Sequence, residues 1–378
     1  MKITSVKCHV LTCKVERPFS SSRGWFYTTK GACLTEITTD EGIVGWGESS
    51  GPAAVNRVIV ETQLAPCIIG RDPFDVEIIW EELYNRIKDY GRAGMNISAL
   101  SGIDIALWDI IGKACHKPVH KLIGGAFRPS VQAYATGMYF HDMDRVLEEA
   151  VEEATRYVND GFKAVKMKIG LGSIMADFQR VAAVRKAIGP DIRLMVDANH
   201  SFNVTTAIQM GRKLESLDVA WFEEPVAPED LDGYALVAKA LDMPVTGGEN
   251  LFTRHGIRDV MTKRAMDIVQ PDVCTTGGIS EAKKIATLAS TFGIECMPHA
   301  WGSAVGLAAT LHFLATIPPC PLCLVPSYPM LEFEQTYNPF RTDLAVEPIT
   351  HKEGFVLIPT KPGLGIEIDK NILAQYAC

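Results

Sequence analysis

Residues 163–170 read KAVKMKIG, and the fold turns on how that stretch is read. As a β-strand it alternates faces, with Val165, Met167 and Ile169 on one side and Lys166 and Lys168 together on the other. A buried ammonium group costs several kcal/mol unless it is paired or put to use. Two of them on one face of an apolar strand therefore predict something acidic opposite.

The surroundings of this strand repeat its form. From about residue 130, short apolar runs (VQAYAT, AVKMKI, IRLMVDAN, VAWFEEP, PVTGGE, DIVQPDV, IECMPHA) alternate with amphipathic helical stretches such as MADFQRVAAVRKAIG and SEAKKIATLASTFG. Alternating β and α units predict parallel strands joined by right-handed crossovers, and so many in series favour a closed barrel over an open sheet. No G-x-G-x-x-G follows the first strand, which weighs against a dinucleotide-binding sheet. Upstream, ITSVKCHVLTC, GACLTEITT and GIVGWGES read as a meander, the last two joined by the turn Thr39-Asp40-Glu41-Gly42. Helical patterns follow near 54–67, 73–89 and 97–115. After about 345 the Gly/Pro-rich GFVLIPTKPGLGIEID has only short strand character. The expected layout is an α+β capping domain over 1–128, an α/β barrel over 129–345, and a segment 346–378 that returns to the cap.

The bulk composition agrees with this layout. A chain of 378 residues accommodates a barrel of about 250 residues plus a smaller domain. Hydrophobic residues make up 47% and charged residues 22%, a globular balance. The net charge of -8 and the absence of a lysine or arginine run weigh against a nucleic-acid partner, and none is expected. An acidic protein that binds an anionic substrate must gather positive charge locally, from lysine, arginine or a metal. The N-terminus MKITSVKCHVLTCKV lacks the marks of a signal peptide, and no apolar run approaches the roughly 18 residues of a membrane span. A cytoplasmic protein with reduced cysteines and no membrane partner is expected. Cys320 and Cys323 form a C-x-x-C spacing, but without a second pair for zinc or a strand-to-helix context they read as two thiols in a loop.

Polar residues recur at the carboxyl end of strand after strand: Lys166 and Lys168, Asp197 and Asn199, Glu223, Glu249, Asp272 and His299. From Lys168 the steps are 29, 26, 26, 23 and 27 residues, about one β/α unit each, which places all of them around one barrel mouth. Asp197, Glu223 and Glu249 offer only carboxylate oxygens, a donor set that suits Mg²⁺ better than zinc or copper. Alternation sends Glu224 to the opposite face if WFEEP stays extended. The two lysines, as like charges, lower each other's pKa, so one is expected to act as a neutral base. Asp272 lies one unit before His299 and orients its imidazole. Two bases beside a divalent metal suit removal of the proton α to a carboxylate. General-base help of about 10² to 10⁴-fold is too little there without electrostatic stabilisation of the enolate.

K-x-K at 166–168, D-x-N at 197–199, WFEEP, GGEN, the Asp272/His299 pair, ALSGIDIALWDIIGK and PGLGIEI together resemble the mandelate racemase subgroup of the enolase superfamily. Lysine or histidine bases beside Mg²⁺ are already familiar from such sites. The resemblance implies a capping domain on a modified (β/α)7β barrel and a homo-oligomer. It implies Asp197, Glu223 and Glu249 as Mg²⁺ ligands, Lys168 and His299 as the acid/base pair, and Lys166, Asn199 and Asp272 in support. It also implies a glutamate that contacts the substrate carboxylate, a place taken by Glu332 of MLEF, and substrate contacts from cap loops near 17–30 and 48–55, where Arg23, Trp25 and Tyr27 are the candidates. The expected substrate is a small carboxylate, an acid sugar or its lactone, deprotonated at the α-carbon with β-elimination of the ring carboxylate. An acid-sugar dehydratase, then a racemase or epimerase, then a non-catalytic acid-sugar binding protein are the alternatives.

Overall fold

The computed structural model describes residues 1–22, 24–320 and 327–378; Arg23 and, with 321–326, Cys323 lie outside the described residues. The N-terminal meander consists of β1 (Ile3–Ser20), β2 (Phe26–Thr39) and β3 (Val44–Ser49), paired antiparallel in that order. β1 and β2 are longer than the sequence reading allowed, so much of the expected loop at 17–30 is an extended hairpin arm. Its register breaks between Lys14 and Phe19. Extra residues on one strand bend it, and the bent arm reaches the barrel, where Ser20 and Phe140 exchange backbone hydrogen bonds of 2.7 and 3.0 Å.

The helix Met95–Ala114 lies on β3 at very close range. A Cβ on Gly47 would fall 1.9 Å from the Gly102 carbonyl oxygen, and one on Gly45 2.2 Å from that of Ala106, so the glycines of GIVGWGES are what lets sheet and helix meet. This helix is 20 residues long and apolar enough by length and composition to cross a membrane, yet 83% of its apolar window is buried inside the protein, and Asp104 and Asp109 interrupt its apolar run. It is a core helix.

The barrel strands are β4 (Ser130–Gly137), β5 (Ala164–Lys168), β6 (Arg193–Asp197), β7 (Val219–Glu223), β8 (Val245–Gly247), β9 (Ile268–Val269), β10 (Glu295–Cys296) and β11 (Leu331–Glu334). They run parallel in the order β4 to β10, with β11 on the other flank of β4. Each of the seven strands before β11 is followed by a helix, from Val146–Asn159 to Ala304–Ala315, which gives (β/α)7β. Side-chain caps from Ser173, Asn203, Asp230 and Ser303 start four of these helices. Val165, Met167 and Ile169 face the helices. Inside, Tyr134, Met195, Trp221, Ile268 and Met297 fill the barrel and leave the mouth above them for polar groups.

The C-terminal segment takes a longer route than expected. Its hairpin, β12 (His351–Lys352) and β13 (Phe355–Leu357), pairs antiparallel with Ser130–Gln132 of β4. β11 covers β4 only from Ala133 onward, so the backbone groups of its first three residues need this second partner. Only afterwards does the chain meet the cap, at Gly363 against Pro118 and Ala377 against Leu11.

Two buried acids of the cap seat it on the barrel. Glu48 accepts from Ser303 N at 2.9 Å and Gly306 N at 2.8 Å at the start of helix Ala304–Ala315. Asp104 accepts from Ser280 N at 3.0 Å near the start of Gly278–Thr291. Carboxylates at helix N-termini are favoured by the exposed N–H groups there.

Candidate active site

The carboxyl ends of the barrel strands and the cap arm enclose a cavity of about 250 Å³. Lys168, Asn199, Glu249, Asp272, His299 and Glu332 line it from the barrel, and Ser21, Tyr27, Ser50 and Ser98 from the cap. Lys166, Asp197 and Glu223 lie just beneath, fully buried. The two lysines do share one face with acids opposite. Lys168 pairs with Asp197, and Lys166 bridges Glu223 at 2.5 Å and Glu332 at 2.9 Å, with Asp197 at 3.9 Å. Trp221 and Gln270 donate to the outer oxygen of Glu223 at 3.1 and 2.8 Å. Asp272 accepts from the His299 ring at Nδ1, 2.6 Å away, and from Cys274 N at 2.7 Å. That leaves His299 Nε2 on the cavity side, 3.5 Å from Glu249 and 3.8 Å from Glu332.

The expected mutual suppression of the lysines is not what this environment produces. Burial works against both ammonium groups, but Asp197 at Lys168, and Glu223 and Glu332 at Lys166, more than reverse it and hold both above their ordinary range. With these acids facing them, the protonated form of both lysines is favoured. His299 behaves likewise. Burial opposes its charge, yet Glu249, Glu332 and Asp272 raise it to about 10. Glu332, despite burial, is held far below the usual carboxylate range by Lys166 and His299. Such an anion repels a substrate carboxylate, so the contact expected of Glu332 requires that it first take a proton.

Glu224 was expected on the opposite face, and the structure overturns this. Its φ of +44° ends the extended pattern, and its buried carboxyl turns back into the site, 2.9 Å from Asn250 Nδ2, 3.2 Å from His200 Nε2 and 3.3 Å from Asn199 Nδ2. The available signal was Pro225, which cannot extend the ladder. Of the cap-loop candidates, Tyr27 reaches the cavity, whereas Trp25 is 58% exposed and is not among its lining residues; Arg23 lies outside the described residues. Sequence reasoning also missed Ser98, Tyr139, Thr275 and Trp301 in the wall, and Gln270 beneath it. Gln270 was legible, since it sits two residues before Asp272 at the end of a strand.

Among the described residues, no three acidic, imidazole or thiol groups draw close enough together to hold an ion. The ammonium groups of Lys166 and Lys168 stand between the acids. The charge count nevertheless fits a divalent cation. Six carboxyl groups (Asp197, Glu223, Glu224, Glu249, Asp272, Glu332) face two lysines and the imidazoles of His200 and His299. Even with both rings protonated, two negative charges are left over. Burial accordingly pushes Glu223 up to about 7 and Glu224 well above its ordinary range. Hard carboxylate oxygens carrying a surplus of this size are a donor set for Mg²⁺.

Comparison with known proteins agrees with this geometry. Residues 4–124 match the family described as mandelate racemase / muconate lactonizing enzyme, N-terminal domain, and residues 149–372 match the enolase C-terminal domain-like family. The D-galactarolactone cycloisomerase of Agrobacterium fabrum is 46% identical over 100% of this chain and 99% of that protein. The arabinonate dehydratase of Saccharolobus solfataricus is 38% identical over 91% and 90%. Among solved structures, the 3,6-anhydro-D-galactonate cycloisomerase of Zobellia galactanivorans superposes with a TM-score of 0.90 at 39% identity, covering 100% of both chains. A racemase of Streptomyces coelicolor A3(2) with bound magnesium gives 0.89 at 29% identity, also over 100% of both.

Proposed function

Because the chain belongs to the mandelate racemase / muconate lactonizing enzyme family of the enolase superfamily, we propose that it is a cycloisomerase of acid-sugar lactones. It removes the proton α to the free carboxylate and expels the ring carboxylate from the β-carbon. The observation that carries this reading is the pair of proton-bearing side chains on one cavity, Lys168 from β5 and His299 following β10, the latter oriented by Asp272. Asp197, Glu223 and Glu249 would hold Mg²⁺, which when bound supplies positive charge to the enolate oxygen as it forms.

Lys168 keeps its proton while Asp197 pairs with it. Once that carboxylate is engaged elsewhere, its neighbouring charge is Lys166, which lowers its pKa toward that of a working base. Lys168 Nζ then takes the α-proton, and the C–O bond to the ring carboxylate breaks with its electrons on the leaving oxygen. His299, an imidazolium with its tautomer set by Asp272, donates from Nε2 to the carbon that lost the ring oxygen, and the enol becomes a keto acid. Lys166 and Asn199 hold the acids in place. The substrate is a small carboxylate, and the thiols of the described cysteines support a reducing, cytoplasmic setting.

A dehydratase is the second reading, favoured by the same protonated His299, which suits a leaving hydroxide, and by the dehydratase relative. Incubation with D-galactarolactone and Mg²⁺ in D₂O, followed by proton NMR, tests the first reading. A deuterated keto acid isomeric with the substrate is expected, and Lys168→Ala or His299→Asn should lower kcat by about 10³-fold or more. Full turnover by both variants would refute the assignment, and water release from open-chain galactarate or arabinonate alone would favour the dehydratase.

A further inference from the structure

One stretch of the cavity lining is a continuous aromatic surface. Asn199, Asn250, Ser50, Ser98 and Thr275 contribute polar groups to the lining, and Met95 and Phe252 lie among them. Three further aromatic rings, Tyr139, Tyr27 and Trp301, come from the loop after β4, the cap arm and the segment after His299, and unlike Phe252 they pack on one another as a single surface. They belong to a satellite cluster built on Phe19. Its ring centroid lies 4.7 Å from that of Tyr139 and 5.1 Å from that of Tyr27, and Tyr27 meets Trp301 edge-on at 5.4 Å. The wall is held from behind. Lys30 of β2, 6% exposed, pairs with Glu334 of β11, donates to the Thr336 hydroxyl at 2.7 Å, and places its ammonium 4.4 Å from the centre of the Trp301 ring. An aromatic face presented by a buried ion pair across the junction of cap and barrel is a fixed surface.

Such a surface takes a flat patch of C–H groups. A five-membered sugar ring offers one, with its oxygens directed to the rim and the opposite face. An open-chain polyol acid carries hydroxyls on all sides and offers no equivalent flat patch. We infer that Tyr139, Tyr27 and Trp301 form the specificity surface of the site, and that this surface selects a cyclic sugar acid over its open-chain counterpart. The inference rests on the acid-sugar reading above and adds to it the residues that discriminate. Trp301 contributes the largest face. Its indole N–H is buried and has no hydrogen-bond partner among the described residues, so the ring meets the cavity with its carbon face rather than with a polar group.

The test compares Mg²⁺-loaded wild type, Trp301→Phe and Trp301→Leu, with D-galactarolactone as substrate and open-chain galactarate as competitive inhibitor. Trp301→Leu should lower kcat/KM for the lactone at least about tenfold, mainly through KM, while the galactarate Ki moves less than about threefold; Trp301→Phe, which keeps an aromatic face, should recover most of the loss. Equal losses for lactone and galactarate, or no loss, would overturn the inference and leave the reaction assignment standing. A wild type inactive on every acid sugar and lactone would instead remove the reaction assignment, and this inference with it. If Trp301→Leu melts far below wild type, Tyr27→Leu, on the half-exposed cap side of the same wall, is read by the same criteria.

Discussion

The helix Ala304–Ala315, the cap turn at His120 and the returning tail meet at a pair of stacked imidazoles whose titration has a calculable effect on stability. His312 is fully buried and His120 nearly so, with ring centroids 5.2 Å apart. His312 Nδ1 accepts from the His120 backbone N–H at 3.2 Å and faces His120 Nδ1 at 3.1 Å. A proton on His312 Nδ1 would cancel both contacts, and burial, the main cause, brings its pKa down to about 3. In the unfolded chain a histidine titrates near 6.5. The folded state therefore stays neutral at His312 between pH 6.5 and 3 while the unfolded state takes up a proton, so this contribution is full above pH 6.5 and is lost as the pH falls through that window. At about 1.4 kcal/mol per pH unit, the loss between pH 8 and pH 5 is about 2 kcal/mol. With about 2.1 cal/mol/K of unfolding entropy per residue over 378 residues, 2 kcal/mol corresponds to about 2 to 3 °C in Tm. Melting wild type and His312→Gln by calorimetry across this pH range should show the wild-type Tm falling by that much more than the variant's. Parallel curves for the two proteins would refute the reasoning, since every other titrating group is common to both.

Four further outcomes follow from the same geometry. Chelation of divalent ions should abolish turnover and lower Tm, because the surplus of negative charge at Asp197, Glu223, Glu224 and Glu249 is then uncompensated; activity that survives exhaustive EDTA treatment counts against the metal assignment. Lys30→Met removes the ammonium paired with buried Glu334 and leaves it the Arg341 guanidinium at 3.9 Å and the Asn338 amide, and should cost about 1 to 3 kcal/mol, with part of the loss recovered in the Lys30→Met/Glu334→Gln double variant; thermal melts check this. Gly47→Ala places a methyl 1.9 Å from the Gly102 carbonyl oxygen and should destabilise by about 2 kcal/mol or more, where an unchanged Tm would show that β3 and the helix Met95–Ala114 can part. Asp272→Asn should keep the His299 contact but lose the imidazolium support, moving the basic limb of the pH–rate profile down from the region near 10; an unmoved limb would exclude His299 as the group reported there.

Much of this protein is written in local periodicities. Alternation in KAVKMKIG placed Lys166 and Lys168 on one face, because the side-chain period of a strand is two whatever surrounds it. The recurring step of about one β/α unit placed Asp197, Glu223, Glu249, Asp272 and His299 at one mouth, because parallel strands in series present their carboxyl ends together. What depended on distant parts of the chain was not legible. The protonation of the lysines and of His299 follows from a balance among six carboxyl groups, which no single strand contains. Glu224 entered the site through one left-handed backbone angle just before Pro225. The aromatic wall depends on Lys30 and Glu334, 304 residues apart, and on a bulge that bends the cap arm over the barrel. Local spacing determines which face a residue takes; its charge state and its neighbours are set by whatever the tertiary fold brings to that face.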